Sequence, residues 1–233
     1  KLGGGPDEDV LLPLHRLDQP CSGVLLFGKT KLAATHITKA WKRNQVEKRY
    51  HCVVSPDLDR LVELSTTVEE EGSWYRLEGQ ALKLSDDSAR QGRPTLILPM
   101  TTDVPDAAAI AKTCSIDWRP LPLRQQIRQH AMLEVKCNQG TRHMVRALMS
   151  MARTPLRGDL KYGTAEFPLL DESVALHASS IRLPKSVGQL LSKGGGKAMK
   201  DGDAHPTYFQ ASALPENWKT FFGITGSRRR NQR

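Results

Sequence analysis

Two short segments, far apart in the chain, show the two-residue alternation of a half-buried β-strand: Lys48–Val54 (KRYHCVV) and His130–Cys137 (HAMLEVKC). A third segment, Val174–Leu183 (VALHASSIRL), is also strand-like. Helical segments separate the strands irregularly, without the regular strand–helix alternation that builds a parallel sheet. The sequence therefore predicts an α+β fold, a mixed and largely antiparallel sheet flanked by helices.

Two amphipathic helices and one further strand are predicted around these segments. In the first helix, within residues 29–45, apolar side chains at helical spacing oppose a basic exterior. The second helix has Thr141 as its candidate N-cap and runs to about Arg153 behind an apolar stripe that includes Val145 and Leu148. The apolar run Gly23–Phe27 is predicted to be a strand that leaves a turn.

Charge divides the 233-residue chain into unequal parts. The net charge is +9, but residues 55–111 carry 11 acidic and 5 basic side chains, a net charge of −6. We interpret 55–111 as an acidic insertion, set apart from a single domain formed by residues 1–54 and 112–223, with a basic tail at 224–233. The basic body predicts binding to a polyanion.

The stretch Leu14–Thr30, LHRLDQPCSGVLLFGKT, contains two competing motifs. GVLLFGKT matches the phosphate loop of nucleotide hydrolases, whereas HRLD places one carboxylate, Asp18, before a turn. A phosphate loop needs small, flexible residues between its glycines so that backbone N–H groups can surround the phosphates. The residues between Gly23 and Gly28 are bulky and apolar, and QPCS precedes them instead of a strand. The sequence therefore favours a site built on Asp18.

Four motifs occur in one order along the chain: HRLDQPCSGVLLFGKT, EKRYHCVV, NQGTRHMVRALMSMARTPLRGDLKYG and ALHASSIRLP. Together they resemble the RluA-like family of RNA pseudouridine synthases. The family patterns are approximately HRLDxxTSG, KxY on a strand, GRTHQIR at the start of a helix, a GDxxYG loop and an LHA strand. The resemblance covers residues 14–54 and 131–184. It implies the pseudouridine synthase fold and isomerisation of uridine to pseudouridine in RNA, without a cofactor.

The resemblance also implies roles for individual residues. Asp18 matches the catalytic aspartate of the family, Tyr50 its active-site tyrosine, and Arg146 the basic residue that pairs with the aspartate. Arg16 matches the arginine that occupies the space vacated by the flipped nucleotide. Leu176 matches the aliphatic residue beside the base.

The chain departs from the family patterns at several positions. Cys21 replaces the usual threonine, Thr141 and Arg142 stand in exchanged order, and Met144 replaces a glutamine. The family's N-terminal strand is not found upstream of Asp18, so we expect that strand to be missing from this chain or remodelled. None of these changes removes the aspartate–arginine pair.

The reaction explains why one carboxylate is enough. The bond from ribose to uracil N1 breaks, the base turns, and a new bond forms through C5, without redox change or net hydrolysis. Asp18 either attacks the anomeric carbon or removes a proton from the neighbouring ribose carbon, and the sequence leaves both routes open. Both routes need an ionised carboxylate, which Arg146 is expected to hold charged and oriented.

RNA is the expected partner, with rRNA first and tRNA second, and ribosomal or pre-ribosomal particles as further partners. A uridine in structured RNA leaves its stack at a cost of a few kcal/mol, which contacts from basic side chains offset. The candidate contacts are Lys39, Lys42, Arg43, Lys48, Arg142, His143 and Arg153.

Other features narrow the remaining alternatives. The four cysteines form no C-x-x-C pair, and the histidine spacings match no familiar set of metal ligands. Reduced thiols indicate the cytoplasm or an organellar (mitochondrial) matrix, and no membrane partner is expected. The alternative to the enzyme is a non-catalytic RNA-binding or ribosome-assembly factor that retains the synthase fold, suggested by Met144 and the acidic insertion.

Overall fold

The computed structural model describes residues 11–55, 57–68, 74–82, 94–104, 110–121, 130–163, 169, 171–194 and 207–222. The predicted basic tail lies outside these residues. The strands are β1 Leu12–Pro13, β2 Ser22–Gly23, β3 Phe27–Gly28, β4 Glu47–Val54, β5 Ser65–Val68, β6 Trp74–Leu82, β7 Ile97–Pro99, β8 Ile110–Pro120, β9 Ala131–Cys137, β10 Leu176–Arg182 and β11 Tyr208–Gln210. The helices are α1 Lys31–Lys42, α2 Asp59–Glu63, α3 Met144–Met151, α4 Lys185–Gly194 and α5 Glu216–Phe222.

One nine-stranded sheet organises the molecule. Its main order is β11-β10-β4-β9-β8-β6-β5, with β2 on β10 and β7 on β6. Among these pairings only β2 with β10 is parallel. The predicted α+β class and its largely antiparallel sheet are confirmed.

Helices cover the sheet because each has one apolar side. Helix α3 buries Leu148 and Met149 in the main core, which also holds Leu133 and Trp118 from the sheet. Helices α1 and α4 share a second cluster around Ile181. Helix α5 buries its Trp218 in a third cluster with strand residues Val53 and Met132.

The basic helix was predicted correctly. The hydroxyl oxygen of Thr30 accepts a hydrogen bond from Ala33 N at 3.1 Å and caps α1. Beyond the last turn, Asn44 adopts a left-handed φ of 56°, which ends the helical conformation. The basic side chains at positions 31, 39, 42 and 43 are exposed.

Two local predictions were wrong. Gly23–Phe27 is not one strand: Gly23 turns with a φ of 127°, and the N–H group of Leu26 donates to His15 Nε2 at 3.0 Å, outside any strand ladder. Thr141 does not cap α3, because its hydroxyl contacts Cys114 Sγ at 3.2 Å. His143, with a left-handed φ of 53°, is the N-cap, and the helix ends before Arg153, which has a φ of 59°.

The acidic segment 55–111 contributes α2, β5, β6 and β7 to the fold. Strand β6 pairs with β8, so it continues the main sheet. Leu61, Leu77 and Ile97 from this segment lie in the same core cluster as Leu133. Its boundaries as a separate insertion stay a prediction, but its described part shares the core of the domain.

Over the described part of the chain, we find no helix long and apolar enough to cross a membrane. All four cysteines carry free thiols, and Cys52, Cys114 and Cys137 are buried.

Candidate active site

A cavity of about 660 Å³ opens where the Leu14–Ser22 segment meets β4, β9, β10 and the start of α3. This volume lies within the range of about 300–1,000 Å³ typical of small-molecule sites. Eight of the residues named from the sequence line this cavity: Arg16, Asp18, Lys48, Tyr50, Arg142, His143, Arg146 and Leu176. The other candidate RNA contacts, Lys39, Lys42, Arg43 and Arg153, do not line it. The fold thus brings together residues from four separate parts of the chain.

Asp18 is held by a tight turn against the sheet. Cys21 N donates to Asp18 O at 2.8 Å, and Val174 N donates to Pro20 O at 2.7 Å. The side chain of Asp18 is 25% exposed, so its carboxylate faces the cavity without being sealed from it. Burial raises the pKa of the neighbouring Cys21 thiol to about 12, so that thiol stays neutral.

Arg146 lies between two carboxylates. Its Nη1 atom is 3.6 Å from Asp18 Oδ2, while its Nε and Nη2 atoms donate to both oxygens of Asp159 at 2.7 and 2.8 Å. Burial opposes the charge of Arg146, but the hydrogen bonds and charge of Asp159, with smaller contributions from Cys21 and Asp18, together outweigh burial and raise the pKa of the guanidinium. The predicted pairing of Arg146 with Asp18 is present as an ion pair, but Asp159 is the closer partner.

Tyr50 and Leu176 form neighbouring parts of the cavity wall, because β4 and β10 are paired. In this register Ala178 faces Tyr50, and Leu176 faces Cys52. Burial, with nearby Cys137 and Asp18, raises the pKa of Tyr50 well above its ordinary value. Tyr50 therefore presents a neutral phenol and an aromatic ring to the cavity.

His143 also faces Asp18. Its Nε2 atom is 3.7 Å from Asp18 Oδ1, and its Nδ1 atom is 3.0 Å from the hydroxyl of Tyr162. Burial lowers the pKa of His143 more than Asp18 raises it, so the imidazole is neutral at pH 7.

The basic residues predicted to bind RNA fall into two groups. Arg16 and Arg142 are exposed at the cavity. Lys48 is buried, and its ammonium group donates to the carbonyls of Asn138 and Gln139 at 3.0 and 2.6 Å. Burial lowers the pKa of Lys48. These contacts favour a structural role for Lys48 over the predicted RNA contact.

The competing phosphate-loop motif does not form a phosphate cradle. The N–H of Val24 donates to Ala178 O at 2.9 Å, and the N–H of Leu26 is taken by His15. Lys29 is exposed and is not among the residues that line the cavity. This arrangement agrees with the sequence-based preference for Asp18.

Sequence reasoning assigned no role to three polar residues at the site: Asp159, Tyr162 and Thr95. Asp159 is fully buried beneath Arg146. Tyr162 accepts a hydrogen bond from Thr95 N at 2.7 Å. The GDLKYG loop was the available signal for the first two, since its Asp and Tyr match the family pattern, whereas no local signal marked Thr95.

Comparison with known proteins agrees with this geometry. Residues 3–151 match the family model described as RNA pseudouridylate synthase, which is more than half of the chain. The chain belongs to this family. The resemblance to RluA-like pseudouridine synthases is confirmed.

The chain is similar to proteins named tRNA pseudouridine synthase C. The chain is 27% identical over 179 residues to tRNA pseudouridine synthase C of Vibrio parahaemolyticus, covering 74% of this chain and 65% of that protein. It is also 27% identical over 185 residues to the protein of the same name from Vibrio vulnificus, covering 74% and 66% of the two chains. The chain thus spans slightly less than two thirds of the length of these relatives.

A solved structure supports the fold. The human RNA pseudouridylate synthase domain containing 1 protein superposes with a TM-score of 0.51 at 19% identity, covering 75% of this chain and 64% of the human one. At this identity the likeness concerns the fold alone. The predicted pseudouridine synthase fold is confirmed.

Proposed function

We propose that this protein isomerises uridine to pseudouridine in RNA, with Asp18 as the catalytic residue. The observation that carries the proposal is the placement of a partly exposed carboxylate 3.6 Å from a buried guanidinium, inside a cavity also lined by Tyr50 and Leu176. Membership of the RNA pseudouridylate synthase family supports it.

Asp18 is the group that engages the ribose. Arg146 and the neutral imidazole of His143 both face its carboxylate, at 3.6 and 3.7 Å. An ionised Asp18 serves either as the nucleophile at the anomeric carbon or as the base at the neighbouring ribose carbon. In the first route the bond from Asp18 to the anomeric carbon breaks as C5 bonds to that carbon, and in the second the abstracted proton returns to the ribose carbon. In both routes the C5 proton leaves and N1 gains a proton.

Tyr50 and Leu176 hold the detached base. The ring of Tyr50 provides a face on which uracil stacks, and Leu176 closes an apolar wall beside it. Because the Tyr50 phenol is neutral, it acts as a hydrogen-bond partner during transfer of the C5 proton. A captive base is required, because a free uracil would diffuse away before the new bond forms.

RNA approaches across the exposed basic side chains around the cavity. Arg16 and Arg142 lie at the cavity itself, and Trp41 of α1 also lines it, which places the last turn of that basic helix beside it. Lys39, Lys42 and Arg43 are exposed on and after this turn, and Arg153 is exposed after α3. Phosphate contacts there would offset the cost of extruding the uridine.

Transfer RNA is the first substrate to test. The curated relatives are named tRNA pseudouridine synthase C, although the chain covers only part of their length. Ribosomal RNA remains the second substrate class, and association with ribosomal particles remains a prediction.

The experiment compares the wild-type protein with Asp18→Asn on tRNA and rRNA transcripts, with pseudouridine measured by nucleoside mass spectrometry. We expect activity to fall at least about 100-fold, as for the loss of a catalytic carboxylate. Asp103→Asn, which changes an exposed carboxylate, is the matched control and should keep wild-type activity. Equal product from Asp18→Asn and wild type would refute the catalytic assignment.

The second candidate is the non-catalytic RNA-binding factor. It is favoured by Met144, a buried apolar side chain that lines the cavity where the family pattern has glutamine. Complementation of a deletion strain separates the two functions: an Asp18→Ala protein that fully restores growth and ribosome maturation would support the scaffold role.

A further inference from the structure

A series of polar contacts connects Thr95, through Tyr162 and His143, to Asp18 at the cavity. Thr95 N donates to the hydroxyl oxygen of Tyr162 at 2.7 Å, and this oxygen is 3.0 Å from His143 Nδ1. The other ring nitrogen of His143 is 3.7 Å from Asp18 Oδ1. The first residue of this series, Thr95, lies just before β7. It belongs to the acidic segment 55–111, which the sequence suggested to be an insertion set apart from the site.

The contact between Thr95 and Tyr162 limits where the phenol proton of Tyr162 can point. A backbone N–H group can only donate, so the Tyr162 oxygen is the acceptor of the Thr95 contact. The hydroxyl of Thr95 is directed elsewhere, because it donates to Arg142 O at 3.1 Å. The phenol proton of Tyr162 is then available to point at Nδ1 of His143, 3.0 Å away.

The contact between His143 and Asp18 also places the ring proton of His143 on Nε2. A carboxylate offers only lone pairs, and Asp18 presents an oxygen to Nε2 of His143. A proton on Nε2 turns an N–H dipole towards that negative charge. A proton on Nδ1 would instead turn a nitrogen lone pair towards the carboxylate, which is repulsive.

The surroundings keep His143 neutral, so its ring carries one proton, on either Nδ1 or Nε2. Burial lowers the pKa of His143, and the cations Arg146, Arg142 and Lys161 lower it further, against the opposite effect of Asp18. Tyr162 completes the set of titratable groups that face the ring. In a neutral imidazole, when one ring nitrogen accepts a hydrogen bond, the proton lies on the other nitrogen.

We propose that Tyr162 is a positioning residue: its hydroxyl group sets the tautomer of His143, which then directs its Nε2–H group at Asp18. This proposal rests on the proposed function, in which Asp18 is the catalytic residue. Tyr162 also lies against the second cation of the site, since the Arg146 guanidinium is 5.1 Å from its ring centroid. One side chain thereby contacts both groups that face the Asp18 carboxylate.

The backbone holds this arrangement firmly. His143 has a left-handed φ of 53° and its ring meets that of Tyr162 edge-on, with centroids 5.6 Å apart. Tyr162 is anchored in turn, because its N–H donates to Asp159 Oδ1 at 3.1 Å and its carbonyl accepts from Ser150 Oγ at 2.6 Å. The phenol position therefore depends on backbone contacts that Tyr162→Phe leaves in place.

The first test reads the tautomer directly in the RNA-free protein. Nitrogen-15 NMR distinguishes a protonated from an unprotonated ring nitrogen, and comparison with His143→Gln assigns the signals. We expect the proton of wild-type His143 on Nε2, and in Tyr162→Phe a mixture of both tautomers. Tyr208→Phe, at an exposed site on β11, is the control and should resemble wild type. A wild-type proton on Nδ1, or no change in Tyr162→Phe, would overturn the proposal.

The second test separates kcat from KM for pseudouridine formation. In Tyr162→Phe we expect kcat to fall severalfold with KM for the RNA near the wild-type value, because the Nε2–H group of His143 would no longer point steadily at Asp18. A loss in KM alone, or no loss in either constant, would contradict the proposal. His143→Gln, whose amide retains an N–H group near the Nε2 position, should exceed His143→Ala in activity.

The two readouts separate this proposal from the proposed function. If Asp18→Asn retained full activity, the catalytic assignment would fail while the tautomer measurement would still decide the role of Tyr162. If Asp18→Asn were inactive and the tautomer of Tyr162→Phe were unchanged, only the inference about Tyr162 would fail.

Discussion

Arg146 is hydrogen-bonded to Asp159 but lies farther from Asp18. The close pair with Asp159 explains how a charged residue can lie in the core. Asp159 has no exposed side-chain surface and forms two hydrogen bonds with Arg146, whereas Asp18 stays partly exposed at 3.6 Å. Asp159 neutralises the buried guanidinium, which leaves Asp18 free to face the cavity. Asp159 is therefore a positioning residue for Arg146.

The first prediction concerns this buried pair. Asp159→Asn removes the counter-charge and leaves Arg146 buried, so we expect the free energy of unfolding to fall by about 3 kcal/mol. Urea unfolding measures it. Asp103→Asn should change the free energy of unfolding by less than about 0.5 kcal/mol. A similarly small change in Asp159→Asn would mean that Arg146 has another sufficient counter-charge.

Residue types at the site were predictable where a motif marked them. Asp18, Tyr50, Arg146 and Leu176 were named from the resemblance, and all four line one cavity. Their roles in catalysis stay predictions. Thr95 could not be found, because its contribution is a backbone N–H group that only the packing of the 94–104 segment against Tyr162 brings to the site.

At the scale of elements, the parallel pairing of β2 with β10 fixes the segment that carries Asp18. His177 lies opposite Ser22, and Ala178 lies opposite Gly23. A Cβ atom on Gly23 would collide with the backbone of Ala178, lying 2.5 Å from its nitrogen. The first glycine of the apparent phosphate loop is therefore explained by close packing against a strand.

The second prediction tests that explanation. Gly23→Ala adds a Cβ that has no space and sits at a φ of 127°, so we expect a loss of more than about 1 kcal/mol in the free energy of unfolding. Chemical denaturation measures the loss. Gly140→Ala is the matched control, because no atom lies within 4 Å of its added Cβ. Equal stability of the two variants would contradict the account.

Element boundaries were less predictable than element types. The strands at His130–Cys137 and Lys48–Val54 were predicted to within one residue of the observed β9 and β4. Thr141 has the residue type of an N-cap, but its contact with Cys114, a residue distant in sequence, takes its hydroxyl away. Local preference thus gave way to a tertiary contact.

At the scale of the whole molecule, five histidines are buried or partly buried, which favours their neutral form. Burial lowers the pKa of all five: His15, His51, His130, His143 and His177. Below about pH 6.5 these side chains take up protons in the unfolded chain before they do so in the folded protein. Acid therefore favours unfolding, and stability rises with pH through this window.

The third prediction follows from this rise of stability with pH. We expect the free energy of unfolding to be lower at pH 5.5 than at pH 7.5 by about 1 kcal/mol or more, after allowance for partial exposure. Asp171, whose pKa is lowered chiefly by hydrogen bonding with Ser173, loses its contribution only below its ordinary value of 3.8, outside this range. Denaturant titrations at the two pH values provide the measurement.

A variant checks the origin of this pH effect. His51→Gln replaces one of the five histidines with an amide that does not titrate, so the difference between pH 5.5 and pH 7.5 should become smaller. An unchanged or larger difference would show that other groups cause the acid sensitivity.

By itself, the sequence determined the α+β class, the basic helix, the family and the identities of the residues around the cavity, because these depend on local periodicity and on motifs read in order. Only the tertiary structure decided that Asp159 is the closer partner of Arg146, that Lys48 is buried, and that the acidic segment shares the core and reaches the site through Thr95. These outcomes depend on which residues, distant in sequence, come together in the folded protein. The residues next to each position in the sequence do not show which partner a buried polar group will bind.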